Sequence, residues 1–155
     1  MCIRDRPNGI VRGGQQPITG ATIQLYAVGT AGDASAATPL IPSVVLTDQN
    51  GNFSITSKYI CPSGTTEVYL VATGGNPGLA AGTNNTAIVM MAALGQCGAL
   101  SASTYVVVDE VTTVASLAAL HLYMASATNL GSGSADATSF ASAFAAVNEL
   151  SLIHI

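Results

Sequence analysis

The sequence predicts a mainly β protein, a seven-stranded β-sandwich followed by a C-terminal αα-hairpin. Short segments that alternate apolar and polar residues recur between turn clusters from residue 8 to residue 108, as they do in β-sandwiches. After Val108 the apolar period changes from two residues to about 3.6, the period of an α-helix. The length, 155 residues with 49% of them apolar, fits one domain with a sizeable core.

Seven segments are predicted strands, and three of them indicate which face is buried. The second directs Ile23 and Leu25 to the core, and the fourth directs Phe53 and Ile55 inwards. The fifth has apolar residues on both faces and is expected to be the central strand. The seven segments are residues 9–13, 21–28, 43–48, 52–57, 66–73, 86–93 and 103–108.

The turn Asp48-Gln49-Asn50-Gly51 separates the third and fourth strands, and its composition predicts a hairpin. The alternative is an oxygen-ligand cation loop, since Asp48, Asn50 and Asn52 stand at alternate positions. That turn has one carboxylate and no distal Glu, whereas calcium takes six or more oxygens. We therefore predict a plain turn and no metal site. Residues 29–42 and 74–85 are expected to be longer surface loops.

Two helices are predicted after Val108. Asp109 is the expected N-cap of the first, with Glu110 beside the positive end of its dipole. Ser134 is the expected N-cap of the second, after a Gly-Ser-Gly break. We expect the helices to lie antiparallel and to bury facing apolar stripes. These stripes are Val111, Val114, Ala118 and Leu122 in the first helix and Phe140, Phe144 and Val147 in the second.

The two terminal hexapeptides, MCIRDR and LSLIHI, are both encoded by one DNA duplex read in opposite directions. That duplex resembles the transposon mosaic end used in preparing sequencing libraries. Residues 1–6 and 150–155 are therefore expected to be adapter-derived, to be structurally dispensable and to pack against nothing specific. The expected organisation is then a β-sandwich module over 7–108 and a truncated helical extension over 109–149 of a longer, bacterial polypeptide.

Two cysteines remain once Cys2 is set aside with the adapter. Cys61 and Cys97 each lie beside Pro or Gly in a connection outside the predicted strands, which favours a disulfide. The alternative is a pair of free, partly buried thiols. A zinc site lacks the paired C-x-x-C spacing that it requires. A disulfide and a composition rich in Thr, Ser, Ala and Gly suit an exported protein, at the cell surface or outside the cell.

The charge and hydropathy patterns exclude two classes of partner. Charged residues make up 8% of the chain, with four basic residues against eight acidic ones. A protein that binds the phosphate backbone of nucleic acid is therefore excluded. The apolar run at residues 87–94 is far shorter than the roughly 20 residues of a bilayer span, and it predicts a buried strand.

Candidate chemistry is sparse. Once His154 is set aside with the adapter, His121 has no second histidine and no Ser or Cys partner in a catalytic pattern, so we predict neither catalysis nor a cofactor. Tyr26 and Tyr69 fall on predicted polar faces, where such residues more often cover a neighbouring strand or the helices. The alternative is an exposed ring that stacks on a sugar. Possible ligand-binding residues are Tyr26, Tyr69, Asn76, Asn84 and Asn85.

Three stretches carry a family likeness in the order in which they occur: IVRGGQQPITGATIQLYAVG, VLTDQNGNFSIT and TEVYLVATGGNPG. Together they resemble the carboxypeptidase regulatory-like module, a transthyretin-like β-sandwich with immunoglobulin-like architecture. The GGNPGLAAGTNN loop with MAALGQCG and VDEVTTVAS resembles N-terminal regions of large secreted proteins of soil bacteria that continue into NHL-type β-propellers. The resemblance implies an exported, non-catalytic module, although the helices after Val108 have no counterpart in the regulatory module.

The expected function is that of a non-catalytic structural or attachment unit of a larger surface protein, with downstream domains of the same polypeptide as its partner. The alternative is a carbohydrate- or peptide-binding module that recognises a cell-surface glycan or protein. That module would use the 74–85 loop and the exposed tyrosines.

Overall fold

The computed structural model of this chain describes residues 6–152, which contain eleven β-strands and two α-helices. The strands are β1 Asn8–Gly13, β2 Gln16–Pro17, β3 Thr22–Ala27, β4 Thr38–Pro39, β5 Val45–Leu46, β6 Asn52–Ser54, β7 Glu67–Thr73, β8 Val89–Gln96, β9 Tyr105–Val108, β10 Met124–Ser126 and β11 Asn129–Leu130. The helices are α1 Glu110–Leu120 and α2 Ala137–Leu152.

The protein is mainly β, as predicted, but the count of seven strands is wrong. Each of the seven predicted segments contains a strand, and β2, β4, β10 and β11 are additional. The additional strands are two or three residues long, too short to show an alternating pattern in the sequence.

Sheet I is organised around β1. This strand pairs antiparallel with β2 and β6 and parallel with β9. The parallel pair brings the two backbones close together at Gly9, where a Cβ atom would collide with the carbonyl oxygen of Val106. Glycine is therefore required at this position for β9 to pair with β1.

Sheet II has the order β4-β3-β7-β8, and β5 pairs with the other end of β3. Both neighbours of β7 are antiparallel to it. Most of the apolar run at residues 87–94 lies in β8, as expected for a buried strand. Within residues 6–152, no helix is long and apolar enough to cross a membrane.

Strand β7 is buried on both faces, which confirms its expected central position. Val68, Leu70 and Ala72 lie in a core shared with the inward residues of sheet I, such as Phe53 and Val106. Tyr69 and Val71 lie in a second core formed with the helices. The helix-side members of that core include Ala115, Leu120, Phe140, Phe144 and Val147. Sheet II is therefore the middle layer between sheet I and the two helices.

The 48–51 turn joins the two sheets and is not a hairpin. β5, before the turn, pairs with β3 in sheet II, whereas β6, after it, pairs with β1 in sheet I. The Asp48 carboxylate accepts hydrogen bonds from the backbone N–H groups of Asn50 and Asn52, at 2.8 and 2.9 Å. Gly51 has a φ of 77°, in the left-handed region. These hydrogen bonds to the Asp48 side chain hold the turn, and β5 and β6 do not pair with each other as strands.

Helix α1 covers the open edge of β8 with hydroxyl groups. Thr113 Oγ1 accepts from the backbone N–H of Met91 at 3.1 Å, and Ser116 Oγ accepts from that of Ala93 at 3.2 Å. Thr112 Oγ1 donates to the Met91 carbonyl at 3.1 Å. The helix begins as predicted, because the Asp109 carboxylate accepts from Thr112 N–H at 2.9 Å. An edge strand is thus closed by side chains instead of by another strand.

The prediction that α1 buries its apolar stripe is wrong because of this contact. The polar face of the helix turns toward β8, and the apolar stripe faces outwards, with Val114 63% exposed and Leu122 70% exposed. The helix also ends at Leu120, so Leu122 lies in a 3₁₀ turn after it. The stripe of α2 is buried as predicted: Phe140, Phe144 and Val147 are its members.

The connection between the helices also differs from the predicted short turn. It contains the 3₁₀ turn and the small antiparallel pair β10–β11. Helix α2 begins at Ala137, and Phe140 N–H donates to the Asp136 carbonyl at 2.9 Å. Ser134 therefore lies before the helix and is not its N-cap.

The C-terminal boundary at residue 149 is not a structural one. Helix α2 continues to Leu152, and Leu150 borders a shallow apolar depression together with Val111 and Val114 of α1. Leu150 is 38% exposed, and the expectation that residues 150–155 pack against nothing specific stays a prediction. Residues 1–5 and 153–155, which make up most of the expected adapter segments, lie outside the described residues.

Cys61 and Cys97 form a disulfide, with their Cα atoms 5.9 Å apart. Both residues are buried in the core between the sheets. The backbone N–H of Cys97 donates to the Thr66 carbonyl at 2.8 Å. The disulfide and this hydrogen bond therefore tie the segment before β7 to the end of β8.

The first prediction concerns the helix-side core. Phe144 is 2% exposed and packs edge-to-face on Phe140, with ring centroids 5.2 Å apart. Phe144→Ala is expected to lower the free energy of unfolding by about 3–5 kcal/mol, because it removes a buried ring and leaves a cavity. The matched control is Leu122→Ala on the exposed side, expected within about 0.5 kcal/mol of wild type. Urea unfolding followed by circular dichroism measures both, and equal losses would contradict the described helix orientation.

Candidate functional site

The two tyrosines form an internal stack and not an exposed platform. Tyr69 is fully buried, and its hydroxyl donates to the Ala127 carbonyl at 2.9 Å. Tyr26 is half-buried and stacks on Tyr69 with ring centroids 5.4 Å apart. Burial, and to a smaller extent the neighbouring Tyr26, raises the pKa of Tyr69. The β10–β11 segment and the helices cover that face of sheet II, so the expected covering role is confirmed for Tyr69 and the exposed-ring alternative is wrong for it.

The asparagines of the 74–85 loop hold the loop together. The Asn76 side chain accepts from the backbone N–H groups of Gly78 and Leu79 and donates to the carbonyls of Leu79 and Ala80. Asn84 Oδ1 accepts from Gly75 N–H at 2.7 Å, and Asn85 Oδ1 accepts from Ala87 N–H at 3.1 Å. These side-chain carbonyls shape an exposed turn, so they are already engaged within the chain.

His121 and Glu110, two other ionisable residues singled out in the sequence, form hydrogen bonds with backbone groups. His121 is exposed, and its Nδ1 donates to the Ala118 carbonyl at 3.0 Å. Glu110 accepts from the backbone N–H of Gly14. Within residues 6–152, no three His, Cys, Asp or Glu side chains come together in an arrangement that could hold a metal ion.

Glu67 is the ionisable side chain whose surroundings set it apart. It is the first residue of β7, and strand alternation places it on the same face as Tyr69, toward the helices. It borders a cleft of about 320 Å³ between the end of sheet II and the first turns of α2. We call this space the Glu67 cleft. The residues that line it include Val28, Thr30, Thr65, Gln96, Ser132 and Phe140.

The Glu67 carboxylate is buried without a full set of hydrogen-bond partners. The residue is 9% exposed, and Oε2 has no partner among the described residues. Burial raises the pKa of Glu67 above its usual value because desolvation disfavours the charged form. No Lys, Arg or His is among the described residues that line the cleft. A buried acid therefore faces a cleft that contains no counter-charge.

Backbone hydrogen bonds hold the walls of the Glu67 cleft in place. Val28 N–H donates to the Glu67 carbonyl at 3.1 Å, and Ser132 N–H donates to the Gly29 carbonyl at 3.0 Å. On the other side, the Cys97–Thr66 bond anchors the residue before Glu67. The cleft is thus formed by the fold itself and is bounded by segments with fixed backbone positions.

Glu67 was not predicted as a site residue. Alternation along the fifth strand places it with Tyr69 and Val71, on the face opposite Val68 and Leu70. The available signal was the apolar character of Tyr69 and Val71 on that same face. A strand that is apolar on both faces is covered on both faces, so a Glu at its end is a candidate for burial.

Comparisons with known proteins identify no family. No protein-family model and no curated protein matches this sequence. Among solved structures, the chain is similar to a 9R-lipoxygenase from Cyanothece PCC8801 at 14% identity and a TM-score of 0.41. That alignment covers 66% of this chain and 16% of the lipoxygenase chain.

The second prediction follows from the raised pKa of Glu67. A raised pKa means that the folded protein holds the proton more tightly than the unfolded chain does. The stabilisation from the protonated form is complete below the pKa of Glu67 in the unfolded chain, near 4.5. It is lost as pH rises through the higher pKa of Glu67 in the folded protein. Glu67→Gln keeps the shape and removes the charge. It is therefore expected to be more stable than wild type at pH 8, with the difference shrinking toward pH 4.

The measurement is urea unfolding at a series of pH values. Glu149→Gln is the matched control, since Glu149 is exposed on α2. Its difference from wild type is expected to stay small across the same pH range. A Glu67→Gln difference that is independent of pH would contradict the described burial of this carboxylate.

Proposed function

We propose that this protein is a non-catalytic module of an exported or cell-surface protein, where it serves as a structural or attachment unit of a larger polypeptide. The proposed architecture is a β-sandwich of the transthyretin-like, carboxypeptidase regulatory-like kind, extended by the two helices. The proposed partner is the remainder of the same polypeptide.

The Cys61–Cys97 disulfide is the observation that supports this proposal most directly. Disulfides persist in oxidising compartments and are rare in reducing ones. This one is buried and closes a loop with a sequence separation of 36 residues. A buried crosslink between two connections stabilises a fold, and it suits a module that has to persist outside the cell.

The architecture supports the sandwich assignment. Inward residues of β1, β6 and β9 share one core with alternate residues of β3 and β7. The first stretch that carries the family likeness contains most of β1 together with β2 and β3, the second contains β5 and β6, and the third contains β7. Two sheets that bury their facing sides against each other are the defining feature of a sandwich.

The contacts of the candidate ligand-binding residues favour the structural role over glycan or peptide binding. Tyr69 and Tyr26 stack within the protein, and the loop asparagines bind their own backbone. A carbohydrate site uses exposed rings and free hydrogen-bonding groups. The groups proposed for such a site are engaged in holding the chain's own structure.

The third prediction concerns the disulfide. In a Cys2→Ser background, Cys61→Ala together with Cys97→Ala is expected to lower the free energy of unfolding by about 3–4 kcal/mol, the chain-entropy value for a loop of this length. Reduction of the Cys2→Ser protein with a dithiol is expected to give a similar loss. Guanidinium unfolding measures both. A loss below about 1 kcal/mol would remove the main support for the proposed exported role.

The fourth prediction separates the structural role from the binding role. On a glycan array and in a cell-wall pulldown, the purified protein is expected to show no saturable binding. Asn84→Ala, which removes the contact with Gly75, provides the comparison. Saturable glycan binding that this substitution weakens at least about tenfold would overturn the structural proposal in favour of the 74–85 loop as a binding site.

A further inference from the structure

The Glu67 cleft has three properties that together indicate a ligand. It contains a carboxylate that is nine-tenths buried, its volume is about 320 Å³, and its walls combine polar and apolar groups. Small-molecule sites have volumes of about 300–1,000 Å³ and the same mixture of groups. A single water occupies roughly 30 Å³ in the liquid, so the cleft has room for an organic molecule.

The Glu67 carboxylate determines what kind of group the ligand presents. Carboxylate oxygens accept hydrogen bonds. Oε2 is buried and receives none from the described residues, so a ligand meets the carboxylate through the part that borders the cleft. The cleft offers no cation among those residues, and the whole chain carries a net charge of −4. A ligand that brings both N–H donors and a positive charge complements this site, because charge-assisted hydrogen bonds are about twice as strong as neutral ones.

The walls determine the shape of the rest of the ligand. Val28 and Phe140 provide apolar surface, and Ala137 and Ala141 of α2 leave space between the helix and the sheet. Thr30, Thr65 and Gln96 also line the cleft, and side chains of these types carry acceptors for further N–H groups. A short alkyl chain suits the apolar wall, and an ammonium head suits the polar side.

We propose that the Glu67 cleft is a binding site for small primary ammonium compounds, with the ammonium group on the Glu67 carboxylate and a short alkyl chain against Val28 and Phe140. This site is separate from the proposed structural role and does not depend on it. It requires only the folded chain, and no covalent step takes place.

The test uses the full, ¹⁵N-labelled chain and n-butylammonium as the probe, followed by amide chemical shifts at pH 7.5. Saturable shifts are expected at cleft residues, including Thr66, Glu67, Gln96 and Ala137. The neutral isostere 1-butanol and the N–H-free tetramethylammonium ion are expected to give only small, non-saturating shifts. The absence of saturation by n-butylammonium, or equal shifts with 1-butanol, would overturn the proposal.

Two variants test the role of the carboxylate and of the space. Glu67→Gln is expected to weaken n-butylammonium binding by roughly tenfold or more, whereas Glu149→Gln leaves the affinity unchanged. Ala141→Leu keeps the carboxylate and fills the cleft, and it is also expected to abolish binding. Wild-type affinity in either Glu67→Gln or Ala141→Leu would refute the site. Because the second variant lies on an exposed helix face, it decides the question even where the first fails to fold.

The pH dependence provides an independent readout. Among the described residues that line the cleft, Glu67 is the one ionisable group. Binding of n-butylammonium is expected to weaken as pH falls through the pKa of Glu67, because the protonated acid no longer carries a charge. Affinity that does not change with pH in the wild type would contradict the assigned head-group contact.

Discussion

Burial of β7 on both faces is the constraint on which the rest of the fold depends. Its backbone is paired on both sides, with β3 and β8, and its side chains enter two cores. A strand of this kind requires one layer on each side, because an uncovered face would expose Tyr69 and Val71 to water. Sheet I covers one face, and the helices with the β10–β11 segment cover the other. The helices after Val108 are therefore part of the same folding unit as the sheets.

The orientation of α1 shows how hydrogen bonding overrides an apolar pattern. Strand β8 is an edge strand, and an unpaired buried backbone group costs about 1–3 kcal/mol. Thr112, Thr113 and Ser116 satisfy three such groups at Met91 and Ala93. Turning the stripe toward β8 would gain about 1.5–3 kcal/mol for each Val or Leu that became fully buried. It would also leave these three backbone groups without partners. In the structure the hydroxyl groups close the edge and the apolar stripe stays outside.

These two cases also show what the sequence was able to predict. The local alternation of apolar and polar residues was sufficient to predict the inward residues of β3, such as Ile23 and Leu25. The apolar residues on both faces of β7 were sufficient to predict its central position. Helical periodicity was sufficient for Phe140 and Phe144, and loop context for the disulfide. The 48–51 turn was misassigned because pairing between strands is a non-local property. The face of α1 and the burial of Glu67 were missed for the same reason, since both depend on which element covers a given edge.

The position of Glu67 links the stability of the fold to the proposed binding site. Thr66, the residue before it, accepts the hydrogen bond from Cys97, whose sulfur is joined to Cys61. The crosslink therefore fixes the start of β7, and strand alternation then directs the carboxylate toward α2. Loss of the disulfide would disturb the cleft together with the core, whereas Glu67→Gln leaves the crosslink and the strand in place. The carboxylate substitution can thus separate binding from structural support, and a cysteine substitution cannot.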